Sequence, residues 1–184
     1  MKRFLVILIC LATCFSVFAQ EIDSDYVFRA SQAGDQYAKV TLSLNIPNKP
    51  EQLKTGGAGT LGYHYFITDN FNIGGDIGFN YLTTVGKNVY YSIPFLLKVG
   101  YQFNSGSFEV PVYLGLGGTI QNYLDKSYFG LTIKPEVGVY YRVSSDWSFG
   151  VLGGVYIMPQ TFKDKKYNYV GVITDISVGV RYHF

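Results

Sequence analysis

Cysteine is nearly absent from this chain of 184 residues, and its two copies, Cys10 and Cys14, both lie close to the start. Tryptophan occurs once, and no long apolar run follows the first 19 residues. The rest of the chain therefore offers no disulfide framework and no second apolar helix for crossing a membrane. An exported fold of this composition has to be stable through packing and hydrogen bonding.

An excess of charge of either sign is also missing. The chain has 15 Lys and Arg and 13 Asp and Glu, and Lys2 and Arg3 belong to the opening segment, so the remainder carries 13 of each. Without a basic surplus to meet phosphates, nucleic acid is not expected as a partner. No metal-ligand cluster or P-loop occurs, and the glycines of 114–118 lie within a strand pattern. We therefore expect no cofactor and no metal.

The opening segment has the pattern of a secretory leader. A basic Met1–Arg3 precedes an apolar stretch over 4–18, and Val17-Phe18-Ala19 fits a signal-peptidase site. The sequence predicts a signal peptide over 1–19. Polar residues 20–35 are expected to form a periplasmic lead-in or a short lumen cap.

The final stretch, 170–184, alternates apolar and polar residues with a period of two. Val178, Val180 and Tyr182 share one face, whereas Gly179 and Arg181 lie on the other. Side chains on a strand point alternately to opposite faces, so this pattern predicts a long amphipathic β-strand. Its length suits a strand that crosses a membrane.

The same alternation recurs along the chain and predicts eight strands, at 36–46, 57–67, 71–83, 89–103, 108–123, 128–143, 147–158 and 170–184. Tight turns at 68–70, 104–107 and 144–146 alternate with loops at 47–56, 84–88, 124–127 and 160–166. An even strand count with alternating short turns and longer outer loops is typical of an outer-membrane barrel. We predict an all-β fold, an eight-stranded antiparallel up-and-down transmembrane β-barrel over 36–184, closed by pairing of the first and last strands.

Aromatic residues concentrate at the ends of these strands. One group falls at the turn ends and consists of Phe71, Tyr101, Phe103, Phe108, Tyr141, Trp147, Tyr182 and Phe184. A second group falls toward the loop ends and consists of Tyr81, Tyr91, Phe129 and Tyr169. The high strand propensity of Tyr and Phe accounts for their number but not for this placement. Two aromatic girdles with aliphatic residues between them indicate a bilayer-facing surface.

The C-terminal spacing Ser177-x-Gly179-x-x-Tyr182-x-Phe184 resembles the insertion signal of outer-membrane proteins. With the leader and the eight strands, the chain resembles the small porin-like outer-membrane β-barrels of the OmpX/OmpA-transmembrane-domain type. This resemblance implies a location in the bacterial outer membrane and recognition of the last strand by the barrel assembly machinery. The outer loops are shorter than those of OmpX, which weakens the transfer of adhesive roles.

The polar faces of the predicted strands carry charges of both signs. We assign to the lumen the network Asp76, Lys98, Glu109, Lys134, Glu136, Arg142, Asp175 and Arg181, together with His64 as a satisfied interior residue. Buried charges need partners, so one interpretation is a packed, mutually neutralising core. The other is a narrow gated pore, in which Lys98, Lys134, Glu136 and Arg142 form a switchable plug. Inward glycines are expected to make room for these side chains.

Catalysis is not expected. Lipid A-modifying enzymes also use eight-stranded barrels, but the deacylase needs a serine two residues after a histidine, and neither His64 nor His183 provides this. A secreted lipocalin-like barrel, with its apolar face inward, is the soluble alternative. We expect a monomeric outer-membrane protein of the cell envelope with a structural or surface-interaction role. Its partners would be outer-membrane lipids and lipopolysaccharide. Lys163, Lys165 and Lys166 are candidates for contacting lipopolysaccharide phosphates, although a lysine cluster in a loop is usually just solvated.

Overall fold

The computed structural model describes residues 31–124, 126–160 and 169–184. The predicted signal peptide and most of the predicted lead-in lie outside the described residues. So do the three loop lysines Lys163, Lys165 and Lys166. The described part contains no helix that is long and apolar enough to traverse a bilayer.

Eight antiparallel strands form one closed barrel in chain order, with β1 pairing β8. The strands are β1 Gln36–Lys49, β2 Leu53–Phe66, β3 Phe71–Thr84, β4 Val89–Ser105, β5 Phe108–Tyr123, β6 Lys126–Arg142, β7 Trp147–Gln160 and β8 Tyr169–His183. The predicted fold class and the closure between the first and last strands are confirmed.

The alternation of the sequence becomes an inside and an outside of the barrel. On β4, the side chain of Leu97 is 77% exposed on the outer surface, whereas its neighbour Lys98 is 1% exposed in the lumen. The outer surface carries a continuous band of large apolar side chains between the strand ends, and the lumen carries most of the polar side chains together with a smaller apolar group. This orientation is opposite to the lipocalin-like alternative, which requires an apolar interior.

The connections divide the barrel into two ends. The turn end contains the connections 67–70, 106–107 and 143–146, and the loop end contains 50–52, 85–88 and 124–125. Residues 31–35 also lie at the turn end. There the Gly34 amide donates to the Phe66 carbonyl over 2.9 Å, and the Ala33 amide donates to Asp69 over 3.1 Å.

Two of the loop-end connections are shorter than predicted. The predicted loop 47–56 is mostly strand, with only 50–52 between β1 and β2, and the predicted loop 124–127 shrinks because β6 begins at Lys126. Prolines and glycines gave the segment 47–56 the composition of a loop. Its two halves nevertheless continue as strands, because β1 keeps pairing with β8 and β2 with β3.

Two of the eight ladders stop short of the loop end. Within the described residues, pairing between β1 and β2 ends at Asn45 opposite Gly56, and pairing between β6 and β7 ends at Ile133 opposite Ile157. Pro47 follows the first break on β1, and Pro159 follows the second on β7. Proline has no N–H to donate to a ladder, which favours both positions as ends of pairing.

Candidate functional site

A cluster of charged side chains from four strands crosses the middle of the lumen. Lys98 Nζ lies 2.7 Å from Asp76 Oδ2 and 2.9 Å from Glu136 Oε1. Lys39 Nζ lies 3.0 Å from the same Asp76 oxygen and 3.6 Å from Glu136 Oε1. Two lysines and two carboxylates thus form a closed square of ion pairs that joins opposite walls of the barrel.

Lys134 extends this square toward β8. Its Nζ lies 2.8 Å from Glu136 Oε2 and 2.7 Å from Asp175 Oδ1. The extended set, called the central cluster below, contains three lysines (Lys39, Lys98, Lys134) and three carboxylates (Asp76, Glu136, Asp175), all of them buried. Equal numbers of opposite charges in hydrogen-bonding contact reduce the cost of burying each one.

Tyr113 separates the central cluster from the turn end. The Lys39 and Lys98 ammonium groups lie 5.3 and 5.5 Å from the centroid of its ring. Its hydroxyl accepts a hydrogen bond from Arg181 Nη2 over 2.7 Å and lies 2.6 Å from the Tyr37 hydroxyl. The ring fits because Gly100 lies beside it: a Cβ at that position would fall 2.3 Å from Tyr113 Cδ1.

A second group of charges surrounds Glu109 on the turn-end side. Arg181 Nη1 lies 3.1 Å from Glu109 Oε2, and Arg142 Nη1 lies 3.3 Å from Glu109 Oε1. Gln102 accepts a hydrogen bond from Arg181 Nη1 over 3.0 Å and donates one to Ser31 Oγ over 3.0 Å. The segment before β1 is thereby hydrogen-bonded to the lumen side chains.

Both histidines are buried inside the barrel and contact polar side chains. His64 stacks on Tyr37 at a centroid distance of 4.8 Å, and its Nε2 lies 3.1 Å from Asp76 Oδ1. His183 Nε2 lies 2.8 Å from Ser148 Oγ. A serine–histidine pair is a component of nucleophilic sites, which also need a group that orients the base. Among the described residues no carboxylate hydrogen-bonds to His183, and Ser148 is fully buried.

Each predicted lumen residue lies inside the barrel. The structure brings five of them, together with Lys39, into the central cluster and places Glu109, Arg142 and Arg181 nearer the turn end. Lys39, a member of the central square, is absent from the predicted set. The alternation of β1 indicates an inward position for Lys39, because Lys39 shares a face with the inward Thr41 and Asn45. The described residues contain no group of three or more potential ligands placed to hold a metal ion.

The residues of the predicted insertion signal divide between the two faces of β8. Ser177 accepts a hydrogen bond from Ser43 over 3.0 Å inside the barrel, and Gly179 leaves space for the Tyr140 hydroxyl. Tyr182 and Phe184 lie outside, with ring centroids 5.7 Å apart. Recognition of these residues by assembly machinery stays a prediction.

Both predicted groups of aromatic residues lie on the outer surface. At the turn end, Trp147 packs on Tyr182 at 4.9 Å, and Phe108 meets Tyr141 edge-on at 5.2 Å. Toward the loop end, Phe79 stacks on Tyr91 at 6.1 Å. Interfacial rings of this kind flank the apolar band of transmembrane barrels.

A protein-family model matches residues 18–182 of the chain. An uncharacterized protein of Treponema pallidum (strain Nichols) is 40% identical over 139 residues, covering 72% of this chain and 61% of that protein. The chain therefore spans less than two thirds of that relative. An uncharacterized protein of Borreliella burgdorferi is 28% identical over 150 residues, covering 65% of this chain and 70% of that protein.

Solved structures of outer-membrane barrels share the fold. Neisserial surface protein A (NspA) superposes with a TM-score of 0.65 at 14% identity, covering 82% of this chain and 99% of that one. The outer membrane protein OprG of Pseudomonas aeruginosa gives 0.58 at 12% identity, covering 84% and 98%. The attachment invasion locus protein Ail of Yersinia pestis gives 0.56 at 10% identity, covering 83% and 100%. The predicted resemblance to small eight-stranded outer-membrane barrels is confirmed at the level of the fold.

Proposed function

We propose that this chain, which belongs to the family matched over residues 18–182 and has the fold of the small eight-stranded outer-membrane β-barrels, is an integral protein of the bacterial outer membrane with a structural or surface-interaction role. Its lumen is closed by paired charges and does not conduct. The observation that carries this proposal is the central cluster, because its ion pairs join opposite walls of the barrel.

The outer surface supports integration into a bilayer. Leu42, Leu61 and Val178 are 60% or more exposed near the middle of their strands, at 68%, 64% and 60%. A soluble monomer seldom exposes a continuous apolar surface of this extent. Aromatic rims on both sides of the band add the interfacial anchors that a membrane barrel uses.

The geometry of the lumen supports a plug that stays closed. Lys98 and Glu136 are buried, and each contacts at least two oppositely charged partners. Opening a pore would separate buried ion pairs, at a cost of ~3–5 kcal/mol for each charge left without a partner. On the turn-end side of the central cluster, the side chains of Tyr113, Arg181 and Glu109 fill the lumen again. A gated pore would have to displace both layers.

The short loop-end connections support a role close to the membrane surface. The connection 50–52, the connection 85–88 and the link between Tyr123 and Lys126 are too short to form a protruding sheet, while the connection between β7 and β8 lies outside the described residues. NspA is named a surface protein and Ail an attachment protein. For this chain we propose a role at the cell surface and do not extend the proposal to attachment. Outer-membrane lipids, lipopolysaccharide and the assembly machinery are the proposed partners of a monomeric barrel.

No catalytic activity is part of the proposal. The Ser148–His183 pair is enclosed at the turn end and has no orienting carboxylate among the described residues. The central cluster consists of groups that satisfy one another and offers no free base to a substrate.

Planar-bilayer recording tests the closed lumen. Wild-type protein and Glu136→Ala are each incorporated and compared, with a boiling-dependent gel shift used to establish that both barrels are folded. We expect no steady conductance from either. A current that appears in folded Glu136→Ala but not in wild type would favour the gated pore and overturn the closed plug.

Cell fractionation tests the location separately. We expect the protein in the outer-membrane fraction, with a band that shifts on heating because a closed barrel resists detergent. Recovery in the soluble periplasmic fraction without a heat shift would overturn the membrane assignment.

A further inference from the structure

The loop-end half of the lumen differs in character from the rest of the interior. Beyond the central cluster, apolar side chains point inward and form one packed group of Leu82, Tyr90, Leu96, Tyr156, Met158 and Ile173, with Leu53 against it. A cavity of about 480 Å³ lies on the loop-end side of this group and opens toward the loop end. We call this cavity the loop-end cup.

Three features of the cup indicate a ligand. Its lower wall is apolar, with Leu53, Met158 and Ile173 facing the cavity. Its size falls within the range of small-molecule sites, ~300–1,000 Å³. An apolar cavity of this size inside an otherwise tightly filled polar lumen does not contribute to packing.

A single polar atom near the rim has no partner. Gln121 is 5% exposed, and its Oε1 accepts hydrogen bonds from Gln160 Nε2 over 2.7 Å and from the Tyr90 hydroxyl over 3.0 Å. These two bonds fix the orientation of the amide, and its Nε2 is left without a hydrogen-bond acceptor among the described residues. A buried unpaired donor costs free energy that an acceptor group on a ligand would recover.

The charged side chains at the rim indicate that the acceptor group of the ligand is anionic. Lys49 and Lys126 line the mouth of the cup, and no aspartate or glutamate is among its described lining residues. An anionic head group would therefore meet two ammonium groups and the Gln121 donor, with no carboxylate among the described lining residues. The apolar wall below suits an alkyl chain.

We propose that the loop-end cup binds a single-chain amphiphile with an anionic head, of the long-chain carboxylate class. The carboxylate accepts a hydrogen bond from Gln121 Nε2 at the rim, beside Lys49 and Lys126. The alkyl chain descends against Met158 and Ile173. This inference is independent of whether the central cluster closes the lumen, because the cup lies on the loop-end side of it.

The chain provides its own probe for this test. Met158 is one of only two methionines, the other being Met1, and its side chain lines the cup. Protein labelled with ¹³C at the methionine methyl groups is placed in phospholipid nanodiscs and titrated with octanoate. We expect a saturable change in the Met158 methyl shift. A change that rises in proportion to added octanoate, or no change, would overturn the proposal, since it would indicate partition into the bilayer or a cup that stays empty or holds bilayer lipid.

Two glycines provide a matched pair of blocking variants. A Cβ at Gly171 would lie 3.6 Å from Met158 Cβ, in ordinary contact, so Gly171→Leu fills the cup without a backbone clash. A Cβ at Gly153 meets nothing within 4 Å, which makes Gly153→Leu the control. We expect Gly171→Leu to abolish the saturable shift and Gly153→Leu to retain it. Equal binding by both variants would place octanoate outside the cup.

Gln121→Glu tests the position of the head group. This substitution retains the oxygen that accepts from Gln160 and Tyr90 but replaces the free donor with a second carboxylate oxygen. We expect the affinity for octanoate to fall by about tenfold or more, as for loss of a hydrogen bond to a charged group. Octanol, which has no charge, should bind Gln121→Glu as it binds wild type. Undiminished octanoate binding would overturn the proposed recognition of an anion.

Discussion

The guanidinium of Arg181 lies 3.6 Å from the centroid of the Tyr140 ring and so joins β8 to β6, two strands that are not neighbours in the barrel. A desolvated contact between a cation and an aromatic face contributes up to ~2 kcal/mol. Tyr37 lies 4.7 Å from the same guanidinium on another side. Arg181 is thus held by aromatic rings as well as by Glu109, and the lumen is packed rather than merely neutralised.

Two substitutions at Tyr140 distinguish the role of its ring from the role of its hydroxyl. Tyr140→Leu removes the aromatic face and should destabilise the barrel by ~1–2 kcal/mol. Tyr140→Phe should be close to neutral, because the buried hydroxyl has no hydrogen-bond partner among the described residues. Urea unfolding of both variants in detergent micelles measures the difference. Equal destabilisation by the two substitutions would contradict the cation–aromatic interpretation.

Asp76 accepts contacts from two lysines and a histidine. Asp76→Asn leaves Lys39 and Lys98 with fewer negative partners in a buried setting, and we expect a loss of ~3–5 kcal/mol. The control is Asp146→Asn, since Asp146 is exposed in a turn-end connection. Unfolding midpoints in urea compare the two. A cost for Asp76→Asn no larger than for the control would mean that water reaches the central cluster.

A double substitution that removes one ion pair also tests the central cluster. Lys134→Met combined with Asp175→Leu removes one positive and one negative charge, so the cluster remains balanced. We expect the double variant to be more stable than either single variant, because each single change leaves a buried charge without its partner. A double-mutant cycle from urea unfolding gives the coupling energy. Strict additivity of the two effects would argue against a direct interaction.

Gly100 tests how tightly the lumen is filled, and Gly153, on the outer face of β7, is its control. Gly100→Ala would place a methyl group 2.3 Å from the ring of Tyr113, whereas Gly153→Ala meets open space. Overpacking of this kind costs ~1–3 kcal/mol, so only the first variant should lose stability. The temperature at which the folded gel band disappears provides the measurement. If Gly100→Ala left that temperature unchanged, Tyr113 would have to be free to move.

Leu97 tests the bilayer contact of the outer surface. Leu97→Arg places a charge on the apolar band and should cost ~2–4 kcal/mol in a membrane. Val85→Arg, in a loop-end connection where Val85 is 63% exposed, is the control and should change little. Folding into lipid vesicles, followed by the gel shift, measures both. A soluble barrel would tolerate the two substitutions equally well.

Much of this architecture could be predicted from the sequence because strand alternation is a local signal. Each of the eight strands shows it, so the inward and outward faces follow residue by residue. Lys39 lies on the polar face of the predicted first strand but is absent from the predicted charge network. The ends of β1 and β2 were wrong, since Pro47 and Gly56 suggested a loop while pairing with outer neighbours maintained the strands. The partner of each charge could not be predicted, because it depends on how far the strands are staggered around the barrel. The loop-end cup combines side chains from several strands for the same reason.

The two ladder breaks, beyond Asn45 and beyond Ile133, divide the loop-end rim into arcs of three strands (β7, β8, β1) and five strands (β2 to β6). Amide protons that point into these two breaks have no ladder partner among the described residues and should exchange with solvent faster than those elsewhere on the rim. The central cluster spans the breaks, because Lys39 and Asp175 belong to the smaller arc while Asp76 and Lys134 belong to the larger. The lumen charges therefore connect the two arcs on the turn-end side of the breaks, where the ladders of the barrel are continuous.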